Sequence, residues 1–236
     1  ELMQAGKSVK DVGNLWYKEN GEIHHNPMGP ITDLDTLPMQ DLSYWNKGHF
    51  IKAYNGKLCR VAPIELSRGC PRACSYCIEE GYRKLFSGLG QFYRHKAMST
   101  VAKEINYLKE NFDVEMIFFN DDNFLMQMSE ERLEEFSDVW TKEVNLPYWM
   151  STEPLSVIHK HGEKRLKMLR DTGCVGVGMG VESGSEWLRK NILWRDDSVD
   201  DVKKTFVALR GSGIRTTANV MIGFPVEDER DVLDTV

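Results

Sequence analysis

Residues 61–77 read VAPIELSRGCPRACSYC, an apolar run that ends in three cysteines. A short apolar stretch bounded by Gly69 and Pro71 has the length and flanks of a buried strand. The reading therefore places Cys70, Cys74 and Cys77 on one loop at the C-terminal end of that strand, spaced C-x3-C-x2-C. Soft thiolates at such spacing can share an iron–sulfur cluster. Held by three cysteines, a four-iron cubane keeps one iron without a protein ligand, free to take a substrate. A closed structural zinc site needs a fourth protein ligand. The candidates are His24, His25, His49, His95, His159 and His161, none of them at finger-like spacing from the cysteines. Two rivals stay open at this point: a zinc-binding structural domain, and an electron-transfer module with a fully ligated iron–sulfur cluster.

Outward from this loop the chain alternates. Val101, Ile105 and Leu108 make one stripe of a helix over 99–110, and VEMIFF (114–119) reads as a strand. Ser129 caps a helix with Glu130 and Glu131 in its first turn and Leu133, Phe136 and Trp140 on its face. Strand YWMST (148–152), a helix over 163–171 stopping at Gly173, and strand CVGVGMGV (174–181) follow. Ser198 opens another helix, with Val202, Phe206 and Leu209, that ends in Gly211 and Gly213. TTANVMI (216–222) is a fifth strand, and a last helix starts near Glu227. Such alternation gives an α/β fold with a parallel sheet and right-handed crossovers, either an open sheet or a barrel, closed or partial. In both, ligands gather at the C-terminal strand ends.

Residues 1–60 differ. They hold Pro27, Pro30 and Pro38 with scattered glycines, and read as an irregular connector ahead of a core over 61–236. Asn20-Gly21 marks a hairpin turn within it. Residues 79–96 read as an irregular loop whose Arg83, Lys84, Arg94, His95 and Lys96 are solvated or meet an acidic ligand.

The strand at 174–181 carries a second signal. Its even positions are Cys174, Gly176, Gly178, Gly180 and, just beyond, Glu182; its odd positions are Val175, Val177, Met179 and Val181. Side chains alternate across a strand, so one face is apolar and the other nearly bare backbone ending in a carboxylate. Three glycines in register imply that something approaches the backbone closely.

Composition sets outer limits. The 236 residues are 41% apolar and 28% charged, ordinary for a globular domain, with a net charge of −6 that ill suits phosphate neutralisation; nucleic acid is not the expected partner. Three of the five cysteines crowd together, and Cys59 and Cys174 stand apart as inert buried thiols. This pattern, with no leader-like or membrane-spanning apolar stretch, points to a reducing compartment, the cytoplasm, and to no membrane partner.

The C-x3-C-x2-C spacing with Tyr76 before the last cysteine resembles the signature of the radical S-adenosylmethionine (SAM) superfamily. The resemblance implies a [4Fe–4S] cluster on Cys70, Cys74 and Cys77, with SAM on the open iron, cleaved after one-electron reduction to a 5′-deoxyadenosyl radical. It implies a partial (β/α) barrel with five of six βα units visible, and a reductant such as flavodoxin or ferredoxin. By position, Tyr76 would contact adenine, one of Asp121, Asp122 and Asn123 the amino group of SAM, and Ser151 and Glu153 its methionine end or the substrate. Glu182, with Ser183 beside it, would bind the ribose, and backbone near Ile222 and Gly223 the base. The stretches NLWYKENGEIHHNPMGPITDLDTLPMQDLSYW, NDDNF, GVESGSEWLRKNI and ANVMIGFP resemble cobalamin-dependent members. That likeness implies cobalamin, with methylation or a related radical reaction on a small metabolite. It also implies a fragment, with a cobalamin domain before residue 1 and a sixth barrel strand after Val236.

Overall fold

The computed structural model describes residues 4–6, 8–10, 12–126, 128–158 and 162–236; His159 and His161 lie outside the described residues. The chain opens with a hairpin of β1 (Trp16–Glu19) and β2 (Glu22–His25). Its turn residues Asn20 and Gly21 both have positive φ, 52° and 88°, which is why Asn-Gly suits a two-residue turn there. His24 and His25 stack on Tyr17 and Trp16 across the hairpin.

Residues 51–60, read from the sequence as the end of the connector, join the sheet. β3 (Ile51–Tyr54) pairs antiparallel with β4 (Lys57–Ile64) through Asn55-Gly56, a second turn with both φ values positive. A two-residue clip follows, β5 (Ser67–Arg68) against β6 (Arg94–His95). Between its strands lies α1 (Ile78–Leu85), where the sequence had suggested only irregular loop. Its cations are engaged locally: Arg83 and Lys84 pair with Glu80, while Lys96, beyond the clip, pairs with Glu104.

The βα units then run in order: α2 (Met98–Phe112), β7 (Met116–Phe119), α3 (Glu130–Val139), β8 (Tyr148–Thr152), α4 (Pro154–Ile158), α5 (Gly162–Asp171), β9 (Cys174–Glu182), α6 (Glu186–Asn191), α7 (Val199–Gly211), β10 (Arg215–Val220) and α8 (Glu229–Thr235). Ser129 and Ser198 cap α3 and α7 as their sequences indicate, and Asp228 caps α8. Trp140 falls just beyond α3, in a π-helical turn over Trp140–Val144. The large sheet has strand order β10-β9-β8-β7-β4-β3, parallel except for β3, and curls into a half barrel. Five parallel strands are the five expected βα units; the sixth strand of the sheet is the antiparallel edge β3.

Register assigns the faces. Ile117, Phe119, Tyr148, Met150, Val177 and Met179 point into the helix-covered core, each fully buried. An aromatic cluster centred on Phe136 occupies it, with ring centroids of Phe124, Trp140 and Tyr148 at 5.5, 5.2 and 5.7 Å. Cys174 is buried there, whereas Cys59 on β4 is only half-buried. Phe118, Trp149, Ser151, Gly176, Gly178 and Thr217 line the opposite, concave face. Among the described residues no helix is long and apolar enough to cross a membrane.

Truncating Phe136 leaves a hole in a core that cannot close over it. Phe136→Ala is expected to lower unfolding stability by about 3–5 kcal/mol, read from denaturant midpoints at unchanged m-value.

Candidate active site

The cysteine loop leaves the sheet at the C-terminal end of β4 and returns through α1. Gly69 precedes Cys70 with φ at +88°, and a Cβ there would lie 2.8 Å from the Phe92 carbonyl oxygen, so only glycine fits. The loop is docked on three sides. Asp121 accepts the N–H of Leu66 and of Ser67 at 3.3 and 2.5 Å and the Ser67 hydroxyl at 2.6 Å. Asp122 accepts the Gly69 N–H at 2.9 Å, and Glu79 accepts the Cys70 N–H at 2.9 Å. Across the cleft, Ser75 donates its N–H to the Leu193 carbonyl at 3.3 Å. Arg72 bridges Glu153 and Asp196 at 2.6 and 2.7 Å.

Burial pushes the Cys70 thiol up to about 11 and raises that of Cys74, while Arg195 opposes the rise at Cys74. Without a metal the thiols of Cys70 and Cys74 thus favour the protonated form, and metal binding there would release protons. Cys70, Cys74 and Cys77 are free and half-buried. Among the described residues no three His, Cys, Asp or Glu side chains converge as a ready-made metal-holding group.

Opposite the loop stands Glu182, at the end of β9. Its φ of 66° is a left-handed conformation, which costs a non-glycine residue roughly 1 kcal/mol or more and must be held by its surroundings. The holder is Arg189, fully buried, which donates to the carbonyls of Val181 and Ser183 on either side of Glu182 and to the Asp197 carboxylate. Met221 donates its N–H to the Glu182 carbonyl at 2.8 Å, tying the end of β10 to the same turn. Asp197 also holds Arg195 at 3.0 Å. Arg195 in turn reaches Glu182 at 3.7 Å and the Tyr76 hydroxyl at 3.3 Å. A chain of charge-assisted contacts thus runs from β9 to the cysteine loop. Burial works against the Arg195 charge, but Asp197 and Tyr76 outweigh it, and the guanidinium stays protonated.

The glycines of β9 admit protein side chains. A Cβ on Gly176 would meet the Tyr54 hydroxyl at 3.2 Å, and one on Gly178 the Ser151 hydroxyl at 3.3 Å and the Trp149 indole nitrogen at 3.4 Å. A Cβ on Gly180 would lie 2.3 Å from a Glu182 carboxylate oxygen, so this glycine makes room for Glu182 to fold back over the strand.

The residues expected to bind SAM divide accordingly. Tyr76 and Glu182 come together through Arg195, with Ile222 and Gly223 on the exposed segment one bond beyond. Ser151 lies on the concave face. Asp121 is buried, with both oxygens bonded to Leu66 and Ser67; desolvation raises its carboxyl to about 6 against those bonds. Asn123 is buried and accepts from Thr152 at 2.6 Å. Of that trio Asp122 is the exposed one. Glu153 is nearly buried and held by Arg72 and by Ser156. Ser183 is fully buried, and its hydroxyl accepts the Ser185 N–H at 3.1 Å within the turn. Arg189, Arg195 and Asp197 were missed. The run WLRKNILWRDDS behind GVESGS carries their only trace, two arginines and two acids in a segment that must turn back on itself.

The profile of the Radical SAM superfamily matches residues 64–236. The chain belongs to the radical SAM superfamily. Its relatives include an uncharacterised methyltransferase of Pyrococcus horikoshii, 27% identical over all of this chain and 48% of the relative. Another is the anaerobic magnesium-protoporphyrin IX monomethyl ester cyclase of Rubrivivax gelatinosus, 23% identical over 94% of this chain and 38% of the relative. Among solved structures, the cobalamin-dependent SAM radical enzyme OxsB with aqua-cobalamin bound superposes with a TM-score of 0.75 at 17% identity, over 99% of this chain and 33% of that one. The chain therefore spans about half, or less, of the length of these proteins.

The donor set suits the superfamily's cluster. Three soft sulfurs sit on one loop, with the Arg195 cation on the side of Cys74. Gly69→Ala is expected to abolish iron uptake while the far-ultraviolet circular dichroism of the sheet and helices persists, because the clash with Phe92 is confined to the loop.

Proposed function

We propose that this chain is the catalytic core of a radical SAM enzyme acting on a small molecule, by methylation or a related radical reaction, with cobalamin held by the rest of the protein. The observation that carries this reading is the contact chain Tyr76–Arg195–Glu182, which joins the cysteine loop to the end of β9 across one cleft. The cobalamin step and the methyl transfer draw on the named relatives and on OxsB. Cys70, Cys74 and Cys77 would hold the [4Fe–4S] cluster, which when bound supplies the single electron that cleaves SAM to a 5′-deoxyadenosyl radical.

The chain's own residues do the binding and orienting. Glu182 offers a carboxylate to the ribose hydroxyls, and its left-handed turn holds it against Gly180 with little freedom to move. Tyr76 presents a ring, anchored at its hydroxyl by Arg195, for the adenine to lie against. Arg195, buried and bonded to Asp197, supplies the fixed cation that orients the Glu182 carboxylate and the Tyr76 hydroxyl. The exposed segment after Met221, whose N–H binds the Glu182 carbonyl, is proposed to meet the edge of the base through its carbonyl side, since the N–H groups of Gly223 and Phe224 are taken by Glu227. On the concave face, Trp149 fills the space over Gly176 and Gly178 and limits how deep a ligand can go. The reductant is proposed to be a small one-electron carrier of the flavodoxin or ferredoxin kind.

The deciding experiment is electron paramagnetic resonance of the anaerobically reconstituted, reduced protein with and without SAM. A four-iron signal that shifts with SAM supports the reading. A cluster indifferent to SAM supports an electron-transfer module, and bound zinc without iron supports a structural domain. In the same assay Glu182→Ala should keep the cluster signal and raise the Kd for SAM by roughly tenfold or more, the scale of losing a charged hydrogen-bond partner; unchanged affinity would remove Glu182 from the ribose. Cys74→Ala should lose the four-iron signal altogether.

A further inference from the structure

Four backbone N–H groups on the approach to the first cysteine end on carboxylates. Asp121 takes those of Leu66 and Ser67, Asp122 that of Gly69, and Glu79 that of Cys70. The acids come from two directions. Asp121 and Asp122 follow β7, the strand beside β4, and anchor the start of the loop to the sheet. Glu79 sits in the first turn of α1, beyond all three cysteines, so its bond to Cys70 closes the ligand loop into a ring. The sites are not interchangeable: Asp121 is buried, Asp122 exposed, and Glu79 half-buried with its carboxyl raised by burial and by Asp122 nearby.

N–H groups turned toward cluster sulfur raise an iron–sulfur potential, and nearby negative charge lowers it. Here the N–H groups of Gly69 and Cys70, next to the first ligand, are committed to carboxylates. Building on the radical SAM reading above, we propose that Asp121, Asp122 and Glu79 are positioning residues, a carboxylate clasp that shapes the loop before metal arrives and keeps the cluster strongly reducing. This takes Asp121 away from the SAM amino group and makes the NDDNF stretch the holder of the loop that carries the cluster. A strongly reducing cluster is what one-electron cleavage of a sulfonium demands, so the clasp serves the reaction through the cysteines rather than by touching the ligand.

The test has two arms, both on the full-length protein. In the metal-free protein, hydrogen exchange of backbone amides reads the clasp directly. Asp122→Ala should speed exchange at Gly69 by roughly tenfold, whereas Asp122→Asn, whose amide oxygen still accepts, should keep it slow. In the reconstituted protein, a redox titration followed by electron paramagnetic resonance reads the charge. Asp122→Asn and Glu79→Gln should move the cluster midpoint to more positive potential at unchanged iron content. Exchange at Gly69 equal to wild type in Asp122→Ala would overturn the clasp, as would midpoints equal to wild type in both charge-removing variants. Wild-type protein that takes up no four-iron cluster would defeat the radical SAM reading and the redox half of this proposal together. The exchange arm needs no metal, so the two failures are told apart. Should Glu79→Gln fail to fold, the exposed Asp122 variants carry both arms.

Discussion

The fully buried guanidinium of Arg189 organises the cleft. It has no solvent to hydrate it, so its charge must be met inside the protein, and the Asp197 carboxylate meets it. Its Nε donates to the Asp197 carbonyl, and one terminal nitrogen donates to the carbonyls of both Val181 and Ser183, which holds the residue between them, Glu182, in a left-handed turn. The same Asp197 holds Arg195, and Arg195 holds Tyr76. Removing one partner from such a network strands a buried charge, which ties the ligand-facing groups to the integrity of the whole. The rigidity of the cleft is thus electrostatic on this side.

On the other side it is set by backbone hydrogen bonds. The cysteine loop has little apolar side chain to bury, and instead docks through its amides onto Asp121, Asp122 and Glu79 and through Ser75 onto the segment after α6. Arg72 adds a bridge between the two sides, joining Glu153 at the end of β8 to Asp196 next to the buried Asp197. The loop is therefore fixed by elements from three separate βα units. A half barrel can hold a reactive centre at its open edge because the strand ends themselves supply these anchors.

The two faces of β9 divide the labour of the sheet. Val177 and Met179 add to the helix-covered core, while Gly176 and Gly178 thin the opposite face until Trp149, Tyr54 and Ser151 can lie across it. Glycine in a strand sacrifices packing and backbone entropy. Here the return is a concave surface shaped by an indole, with Gly180 kept bare for Glu182.

Much of this was legible in the amino-acid order alone. The five parallel strands, the serine caps of α3 and α7, the loop position of the three cysteines and the bare face of β9 are all written within a few neighbouring residues, because side-chain period, capping and turn chemistry act over that range. The Asn55-Gly56 turn is equally local, though the irregular chain around it masks the two short strands it joins. Other features have no local trace. That Trp149 lies over the β9 glycines, that Asp121 turns back onto Ser67, and that Arg195 links Glu182 to Tyr76 depend on contacts between residues as far as 119 positions apart. Helices α1, α4 and α6 are eight residues or fewer and owe their existence to what they pack against, since so short a helix gains too few internal hydrogen bonds to stand unaided. Local chemistry names the elements and the reactive side chains; which of those side chains face a ligand and which bind one another is settled when the strands curl and burial makes each polar group find a partner.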